Sequence, residues 1–365
     1  SLGPMRRGAF PGSFDPLTVA HLAVAEVARH ACGLDAVHLV VSQVPLAKAR
    51  DQRFAGDWDN YDPPAPKQPG LQVFDDYPLD ELVPLIDWTP FFQAWELHGR
   101  YPAILTDEVV GPQASELFRD AKAMLQRIVE EKWLTARAVF GLWPANSHGD
   151  DVVAQVDGCP VTLHFLRQQA DKPPERPDFC LADFIAPADS GRQDWIGAFA
   201  VTAGLGIEEH VRRFEADHDD YNAILLKALA DRLAETMAER IHQRVRTEFW
   251  GYATDESLDT EALIEEKYRG IRPAPGYPAC PEHSEKATIF RLLDAEAKVG
   301  IRLTDHFAMT PAAAVSGYYF SHPRSQYFVV GRVSKEQAAD YARRKGVSLA
   351  QAERWLASNL DYDPD

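Results

Sequence analysis

The spacing of apolar residues between positions 223 and 250 predicts the longest helix of the chain. Apolar side chains recur there every three or four residues, at Leu226, Leu229, Leu233, Met237, Ile241, Val245 and Phe249. This spacing keeps them on one face of a helix, which turns about every 3.6 residues. Asp219 or Asp220 can cap its first turn. We therefore predict a long amphipathic helix over residues 223–250 that packs this face against a core.

Shorter apolar or alternating segments predict strands in the same part of the chain. We expect them at residues 138–142, 152–156, 161–165, 195–202 and 327–333. Two short helices should close the chain, because Ser334 with Gln337, and Ser348 with Gln351, form the sequence pattern of a capping box. Helical and strand periods intermix without regular alternation, which favours an α+β fold.

The N-terminal region has a different pattern. Residues 7–10 and 37–41 predict strands and residues 19–32 an amphipathic helix, so that residues 5–48 form one βαβ unit. Residues 1–4 precede Met5 and are interpreted as a remnant of tag removal. Residues 49–70, rich in proline, predict a linker or extended arm before a large domain at 71–365. A lone βαβ unit buries little surface, so we interpret it as a fused fragment.

Composition excludes several classes of function. The formal charge is −17, which disfavours sequence-independent binding to nucleic acid or to an anionic membrane surface. It also argues against a DNA-binding role for the C-terminal helix pair with its basic residues at 343–345. The four cysteines lack a CxxC pair, and no long apolar segment or secretory signal is visible. We therefore expect a cytoplasmic protein.

The segment RPAPGYPACPEH at residues 272–283 is the strongest candidate for a recognition loop. Three prolines and a glycine within its first seven positions restrict the backbone before any ligand binds. Arg272 at its head offers a planar, charged fork suited to a carboxylate or phosphate, and Tyr277 offers an amphipathic ring. The alternative interpretation is a surface turn with a solvated arginine.

Several further motifs share their order and spacing with one protein family. They are IDWTPFF at 86–92, DEVVG at 107–111, ADFIAP at 182–187, DWIGAFAVTAGLG at 194–206, HDDYN at 218–222, VSGYYFSHP at 315–323 and DYARRKG at 340–346. Together with the proline loop, they make the chain from about residue 49 to 365 resemble the C-terminal activation domain of cobalamin-dependent methionine synthase. The resemblance implies a twisted, mainly antiparallel sheet with flanking helices, preceded here by the short βαβ fragment.

The resemblance also implies a function. Domains of this family bind S-adenosylmethionine and supply its methyl group when cobalamin has been oxidised to cob(II)alamin, with flavodoxin or another flavoprotein providing the electron. Cobalamin itself is bound by a different domain, whose motifs are absent from this sequence. We therefore expect a methyltransferase domain that serves reactivation in methionine biosynthesis and is not competent alone for homocysteine methylation.

The family motifs carry ligand-binding roles onto particular residues. Arg272 corresponds to the arginine that holds the ligand carboxylate, and Asp87 to the aspartate at its amino group. The remaining positions of the implied S-adenosylmethionine site are the carboxylates and loop or wall residues Glu235, Glu266, Ala274, Gly276, Tyr277, Tyr327 and Phe328. The family often has tyrosine at the position of Phe328, so a hydroxyl is absent there. Neither a catalytic acid or base nor a metal is implied.

Each of these assignments has a structural alternative. Asp87 can instead cap the following helix, and glutamates on an exposed helix face are usually solvated. His283 and His322 serve equally well as structural residues, since neither has the companions that a metal site requires.

A second function, from another class, is suggested by the N-terminus. The segment PGSFDPLTVAHL at 11–22 resembles the opening motif of the adenylyl- and cytidylyl-transferase superfamily, with Ala20 replacing the usual glycine. Thr18 and His21 stand where that family contacts nucleotide phosphates. The alternative function is therefore a nucleotidyltransferase acting on ATP or CTP. A third possibility is a docking module for a reductant, with Arg100 and residues 343–345 as its basic patch.

Overall fold

A computed structural model describes the backbone of residues 7–12 and 36–41, together with residues 53–170, 172 and 176–364. Contacts divide the chain into two units, one formed by residues 1–53 with 171–177 and the other by residues 54–170 with 178–365. In the first unit, strands β1 (Arg7–Gly12) and β2 (Ala36–Val41) pair in parallel, which confirms the two strands predicted there. The helix predicted at 19–32 lies outside the described residues.

A six-stranded antiparallel sheet forms the centre of the second unit. The strands β10, β7, β4, β5 and β6 follow one another in that order, and β3 pairs with the first part of β4. Their bounds are β3 Gly70–Phe74, β4 Thr135–His148, β5 Asp151–Val156, β6 Cys159–His164, β7 Asp194–Leu205 and β10 Ala314–Tyr319. Strands β8 (Arg302–Leu303) and β9 (Met309–Thr310) form a separate pair. With its flanking helices, this sheet confirms the predicted α+β class.

The central strands are buried on both faces. Along β4, Phe140 packs into one hydrophobic core and its neighbour Val139 into the other, and Phe199 and Ala198 divide in the same way along β7. This follows from the two-residue period of a strand, which points successive side chains to opposite faces. The sheet therefore separates two cores, each covered by helices.

The long helix covers the first core. It runs over Asp220–Arg244 and continues into a π-helical turn at Val245–Phe249, so the predicted apolar stripe is confirmed and fully buried. The carboxylate of Asp219 accepts the backbone N–H of Asn222 at 3.0 Å, as a cap. The other helices are Leu79–Leu82, Thr89–Ala94, Gly111–Glu130, Ile207–Ala216, Thr260–Ile264, Glu285–Leu293, Ala295–Val299, Lys335–Lys345 and Leu349–Trp355. No helix in the described ranges is long and apolar enough to cross a membrane.

The strand predictions were partly wrong. The segments predicted within β4, β5, β6 and β7 are confirmed, but β3 and β10 were missed. Residues 327–333 lie outside the sheet, and Val333 among them forms an isolated bridge with Leu360. Val329 in this segment is 62% exposed, whereas Val330 is buried in a small C-terminal core. Strand β10 was hidden because burial on both faces removes the alternation that identifies a strand.

The C-terminal helices Lys335–Lys345 and Leu349–Trp355 do not present a basic surface. The side chains of Arg344 and Lys345 are each 11% exposed and form ion pairs with buried carboxylates of the larger unit, namely Asp151 for Arg344, and Glu282 and Glu285 for Lys345. Arg343 is exposed but pairs with Asp340 at 2.6 Å. The prediction that residues 343–345 form a basic docking patch together with Arg100 was therefore wrong for Arg344 and Lys345, because these two charges hold the helix pair in place.

The predicted capping box at Ser334 is formed on one side. The Ser334 hydroxyl accepts the N–H of Gln337 as predicted, at 3.3 Å. The Gln337 amide instead exchanges hydrogen bonds with the backbone of Arg167, and the Ser334 N–H donates to Gln169. A tertiary contact thus replaces the return bond of the box.

The proline-rich segment before β3 packs along the second unit. Trp250 donates from its indole nitrogen to the carbonyl of Pro64 at 2.8 Å. Nearer the start of this segment, the ring centroids of Trp58 and Tyr61 each lie 4.9 Å from that of His322. Burial, assisted by the charges of Arg324 and Arg269, lowers the pKa of His322 to about 4. His322 is therefore neutral in the folded protein at neutral pH.

This burial predicts an acid-dependent loss of stability. In the unfolded state, the histidine has a pKa near 6.5 and binds a proton below that pH. In the folded state, His322 stays unprotonated until the pH falls to about 4. His322 therefore destabilises the protein as the pH falls from 7 to 5, by at most about 2 kcal/mol. Denaturant unfolding of the wild type and of His322→Gln should show the smaller acid loss in the variant. An equal loss in both proteins would contradict the assignment.

Candidate functional site

Two adjoining cavities lie where the long helix meets the proline loop. The first, about 230 Å³, is lined by Leu85, Asp87, Pro90, Arg232, Glu235, Thr236, Glu239, Arg240, Gln243, Thr260, Leu263, Ile264, Glu266, Tyr268 and Arg272. The second, about 430 Å³, is lined by Glu235, Glu266, Arg272, Pro273, Ala274, Tyr277, Pro278, Ala279, Val315, Tyr327, Phe328 and Val329. They share Glu235, Glu266 and Arg272, so the three charged side chains stand at the junction of one continuous cleft.

The structure brings together eight of the nine residues predicted for the ligand site. Asp87 lines the first cavity, and Ala274, Tyr277, Tyr327 and Phe328 line the second. The ninth, Gly276, lies within the loop between two lining residues. Residues 86–92, the long helix, the loop after residue 264 and the segment after β10 all contribute. Thr18 and His21 of the alternative function lie outside the described residues.

Arg272 is held rigidly at the centre of the cleft. Its backbone N–H donates to the Tyr327 hydroxyl at 3.0 Å, and its Nε and Nη2 donate to one oxygen of Glu239 at 3.3 and 3.0 Å. Burial alone would lower the pKa of Arg272, but the charge of Glu239 and further acidic neighbours raise it above its usual value. The guanidinium is therefore a fixed, permanent cation, on a side chain that is 21% exposed.

Hydrogen bonds to neighbouring backbone fix the loop around this arginine. The carbonyl of Pro273 accepts the N–H of Tyr318 in β10 at 2.9 Å, and the carbonyl of Pro278 accepts the N–H of Val330 at the same distance. The loop also closes on itself, because the N–H of Gly276 donates to the carbonyl of Cys280 at 2.7 Å. The conformation of the loop is thus restricted by its own prolines and by backbone hydrogen bonds to Tyr318 and Val330.

Carboxylates surround the arginine. Burial raises the pKa of Glu235, and the nearby charge of Arg272 opposes that rise. The pKa of Glu266 is raised for the same reason, with the same opposition from Arg272. Asp87 accepts the backbone N–H of Thr89 at 3.0 Å, so it supports the first turn of the following helix while its side chain lines the cleft. The ligand-binding and helix-supporting interpretations of Asp87 are therefore compatible.

The histidines highlighted by the sequence occupy structural positions. His322 lies in the aromatic cluster described above, and the Nδ1 of His283 lies 3.0 Å from the amino group of Lys286. Burial, and then the charge of Lys286, lowers the pKa of His283. No group of three or more metal-binding side chains was found within the described residues.

Sequence reasoning missed Glu239, the partner of Arg272. It lies four residues after Glu235, on the same face of the long helix, and that spacing was the available signal. A glutamate on a long helix is usually solvated, so the signal is weak. Only the approach of the loop turns Glu239 into part of the cleft.

The fixed cation, the surrounding carboxylates and the aromatic side chains give this α+β domain a charged cleft of a size that can hold a small polar molecule. Residues 78–346 match the family model described as vitamin B12 dependent methionine synthase, activation domain, and the chain belongs to this family.

A solved structure supports the same relationship. The crystal structure of the MetH reactivation domain bound to AdoHcy is 54% identical in sequence, with a TM-score of 0.85, and the match covers 88% of this chain and 99% of that one. Residues 9–55 separately match a model described as cytidylyltransferase-like. This match covers a small part of the chain, so the nucleotidyltransferase alternative is not favoured.

Substitution of Gly276 should destabilise the protein. Gly276 adopts a φ of +95°, which disfavours any side chain, and a Cβ there would overlap the ring of His283. Gly331, with a φ of +77° and open space around it, is the matched control for backbone strain alone. We expect Gly331→Ala to cost about 1 kcal/mol and Gly276→Ala more, as measured by thermal unfolding. Equal losses would show that the His283 contact adjusts at no cost.

Proposed function

We propose that this cleft binds S-adenosylmethionine and serves the reductive methylation of cobalamin in methionine synthase. The observation that carries the proposal is the rigid Arg272, which faces the carboxylates Glu235 and Glu266 at the junction of the two cavities. The related reactivation domain is bound to AdoHcy, which is S-adenosylmethionine without its transferable methyl group. The charges of the cleft and the relationship of this chain to an AdoHcy-bound domain therefore both support the proposal.

The charges of the cleft match those of the proposed ligand. S-Adenosylmethionine has a carboxylate, an ammonium group and a sulfonium, and so a net charge of +1. The first cavity has the four carboxylates of Asp87, Glu235, Glu239 and Glu266 against the three guanidinium groups of Arg232, Arg240 and Arg272, a net charge of −1. Opposite net charges favour association and orient the ligand.

Individual residues suit the separate groups of the ligand. Arg272 offers its fork to the carboxylate, and Asp87 offers an anion to the ammonium group. Glu235 and Glu266, with the rings of Tyr327 and Phe328, provide negative charge and aromatic faces for the sulfonium. Tyr277 is 57% exposed at the rim, where we place the wall that faces cobalamin.

The domain contributes position and electrostatics to the reaction. Bound S-adenosylmethionine would supply its methyl group to cob(I)alamin by direct displacement at the methyl carbon, with AdoHcy as the leaving group, so no acid or base of this chain has to move a proton. The prolines of the loop lower the conformational entropy that binding must overcome. Carboxylates in a partly buried cleft interact with a cationic ligand more strongly than they would in water.

The partners follow from this role. The cobalamin-binding domain of methionine synthase docks on the rim, and flavodoxin or another flavoprotein provides the electron. We place this reaction in the cytoplasm, and we propose that this domain does not methylate homocysteine by itself. We also propose that residues 5–48 are a fused fragment, joined through the arm at 49–70 to the domain at 71–365.

Removing the side chain of Arg272 should weaken binding of S-adenosylmethionine. A charge-assisted fork contributes about 2 kcal/mol, so calorimetric titration should show a Kd at least about tenfold higher for Arg272→Ala. Arg119→Ala is the matched control, because Arg119 is 69% exposed on a helix outside the cleft. Failure of the unmutated protein to bind the ligand would refute the proposed function.

Glu235 should distinguish the charged ligand from its neutral relative. AdoHcy lacks the sulfonium charge, so Glu235→Gln should weaken binding of S-adenosylmethionine several-fold more than binding of AdoHcy. Parallel titrations at neutral pH test this directly. Equal weakening of both ligands would mean that Glu235 contacts a group they share and does not interact with the sulfonium.

A further inference from the structure

A line of alternating charges runs from Arg272 into the protein interior. One carboxylate oxygen of Glu239 accepts the hydrogen bonds from Arg272. The other oxygen lies 3.5 Å from Nη1 of Arg246. Arg246 has a fully buried side chain and forms a bidentate pair with Glu256, whose side chain is 6% exposed, with distances of 2.8 to 3.1 Å. Glu239 thus links the cleft arginine directly to a buried ion pair.

The buried end of this line is strongly constrained. The guanidinium of Arg246 also lies 4.1 Å from the ring centroid of Tyr268, which lines the cleft. A buried charge whose partners are removed is costly, so Arg246 and Glu256 have little freedom to move apart. Because Arg246 sits in the π-helical turn that ends the long helix, it provides a rigid reference point for Glu239, one and a half to two helical turns away.

The geometry of the Arg272–Glu239 contact leaves one edge of the guanidinium available. Glu239 takes the edge formed by Nε and Nη2, with both hydrogen bonds on a single oxygen. No acceptor for Nη1 was found among the described residues. A guanidinium can present a second edge, formed by Nη1 and Nη2, to another carboxylate.

We propose that Glu239 is a positioning residue that orients Arg272, so that the edge containing Nη1 receives the carboxylate of the ligand, with Arg246 and Glu256 fixing Glu239 in turn. This inference rests on the proposed function, since it assigns the role of Glu239 in binding S-adenosylmethionine. Glu239 acts through Arg272 and does not itself touch the ligand carboxylate. Loss of orientation should therefore matter only for ligands that have this group.

A purely electrostatic role for Glu239 predicts the opposite ligand dependence. Decarboxylated S-adenosylmethionine lacks the carboxylate and has a net charge of +2. If the role is purely electrostatic, removing a negative charge from the cleft would weaken binding of this analogue at least as much as binding of S-adenosylmethionine. Loss of orientation at Arg272, in contrast, would leave the analogue unaffected. The two ligands therefore separate positioning from charge.

The test is a titration of wild type and Glu239→Gln with both ligands. Glutamine keeps the size of the side chain and leaves the Arg246–Glu256 pair intact, so the variant should fold. We expect binding of S-adenosylmethionine to weaken about tenfold, and binding of the decarboxylated analogue to change by less than about twofold. In the Arg272→Ala background, Glu239→Gln should have no further effect, because both residues act through one contact.

Glu248→Gln is the control, because Glu248 pairs with Arg244 at the surface near the end of the same helix. Equal weakening of both ligands, or an additive effect with Arg272→Ala, would overturn the positioning role while leaving the proposed function intact. Absence of binding to the wild type would overturn the proposed function first. A lowered unfolding temperature with the same loss for both ligands would show a structural role alone.

Discussion

Burial of the central sheet on both faces is the constraint on which the rest of the structure depends. Strands β4 and β7 send alternate side chains into two cores, so each face needs its own cover of helices. The long helix covers one core and carries Glu235 and Glu239 to the cleft. Strand β10 extends the same sheet and anchors the proline loop, because Tyr318 donates to the carbonyl of Pro273. The positions of the long helix and the proline loop, which form the cleft, therefore depend on the sheet.

Charges in this protein act mainly as connectors between elements. Arg246 joins the end of the long helix to Glu256, and Glu239 joins that helix to the loop through Arg272. Lys345 and Arg344 join the C-terminal helix pair to the body of the unit in a similar way. Paired charges at low exposure cost less than unpaired ones, and they specify how the surrounding segments meet. The acidic balance of the whole chain therefore says little about where its cations lie.

Local patterns predicted local structure well. The stripe from Leu226 to Phe249 repeats over many turns, so neighbouring residues sufficed to identify the long helix and its cap at Asp219. Residues 327–333 show where this reasoning fails. Tyr327, Phe328 and Val329 line the cleft while Val330 and Val333 pack in the C-terminal core, so the segment has the composition of a strand without joining the sheet. Strand β10, buried on both faces, lacks the alternation altogether. In both cases the deciding neighbours are distant in sequence.

By itself, the sequence determined the fold class, the family, the proline loop and eight of the residues that line the cleft, because these depend on local periodicity and on motifs with their spacing. Tertiary structure alone decided which charges meet. Glu239 became the partner of Arg272, and the basic residues at 344 and 345 turned inward, because ion pairs form between elements far apart along the chain. Coulomb energy depends on distance and burial, and neither can be read from the order of the residues.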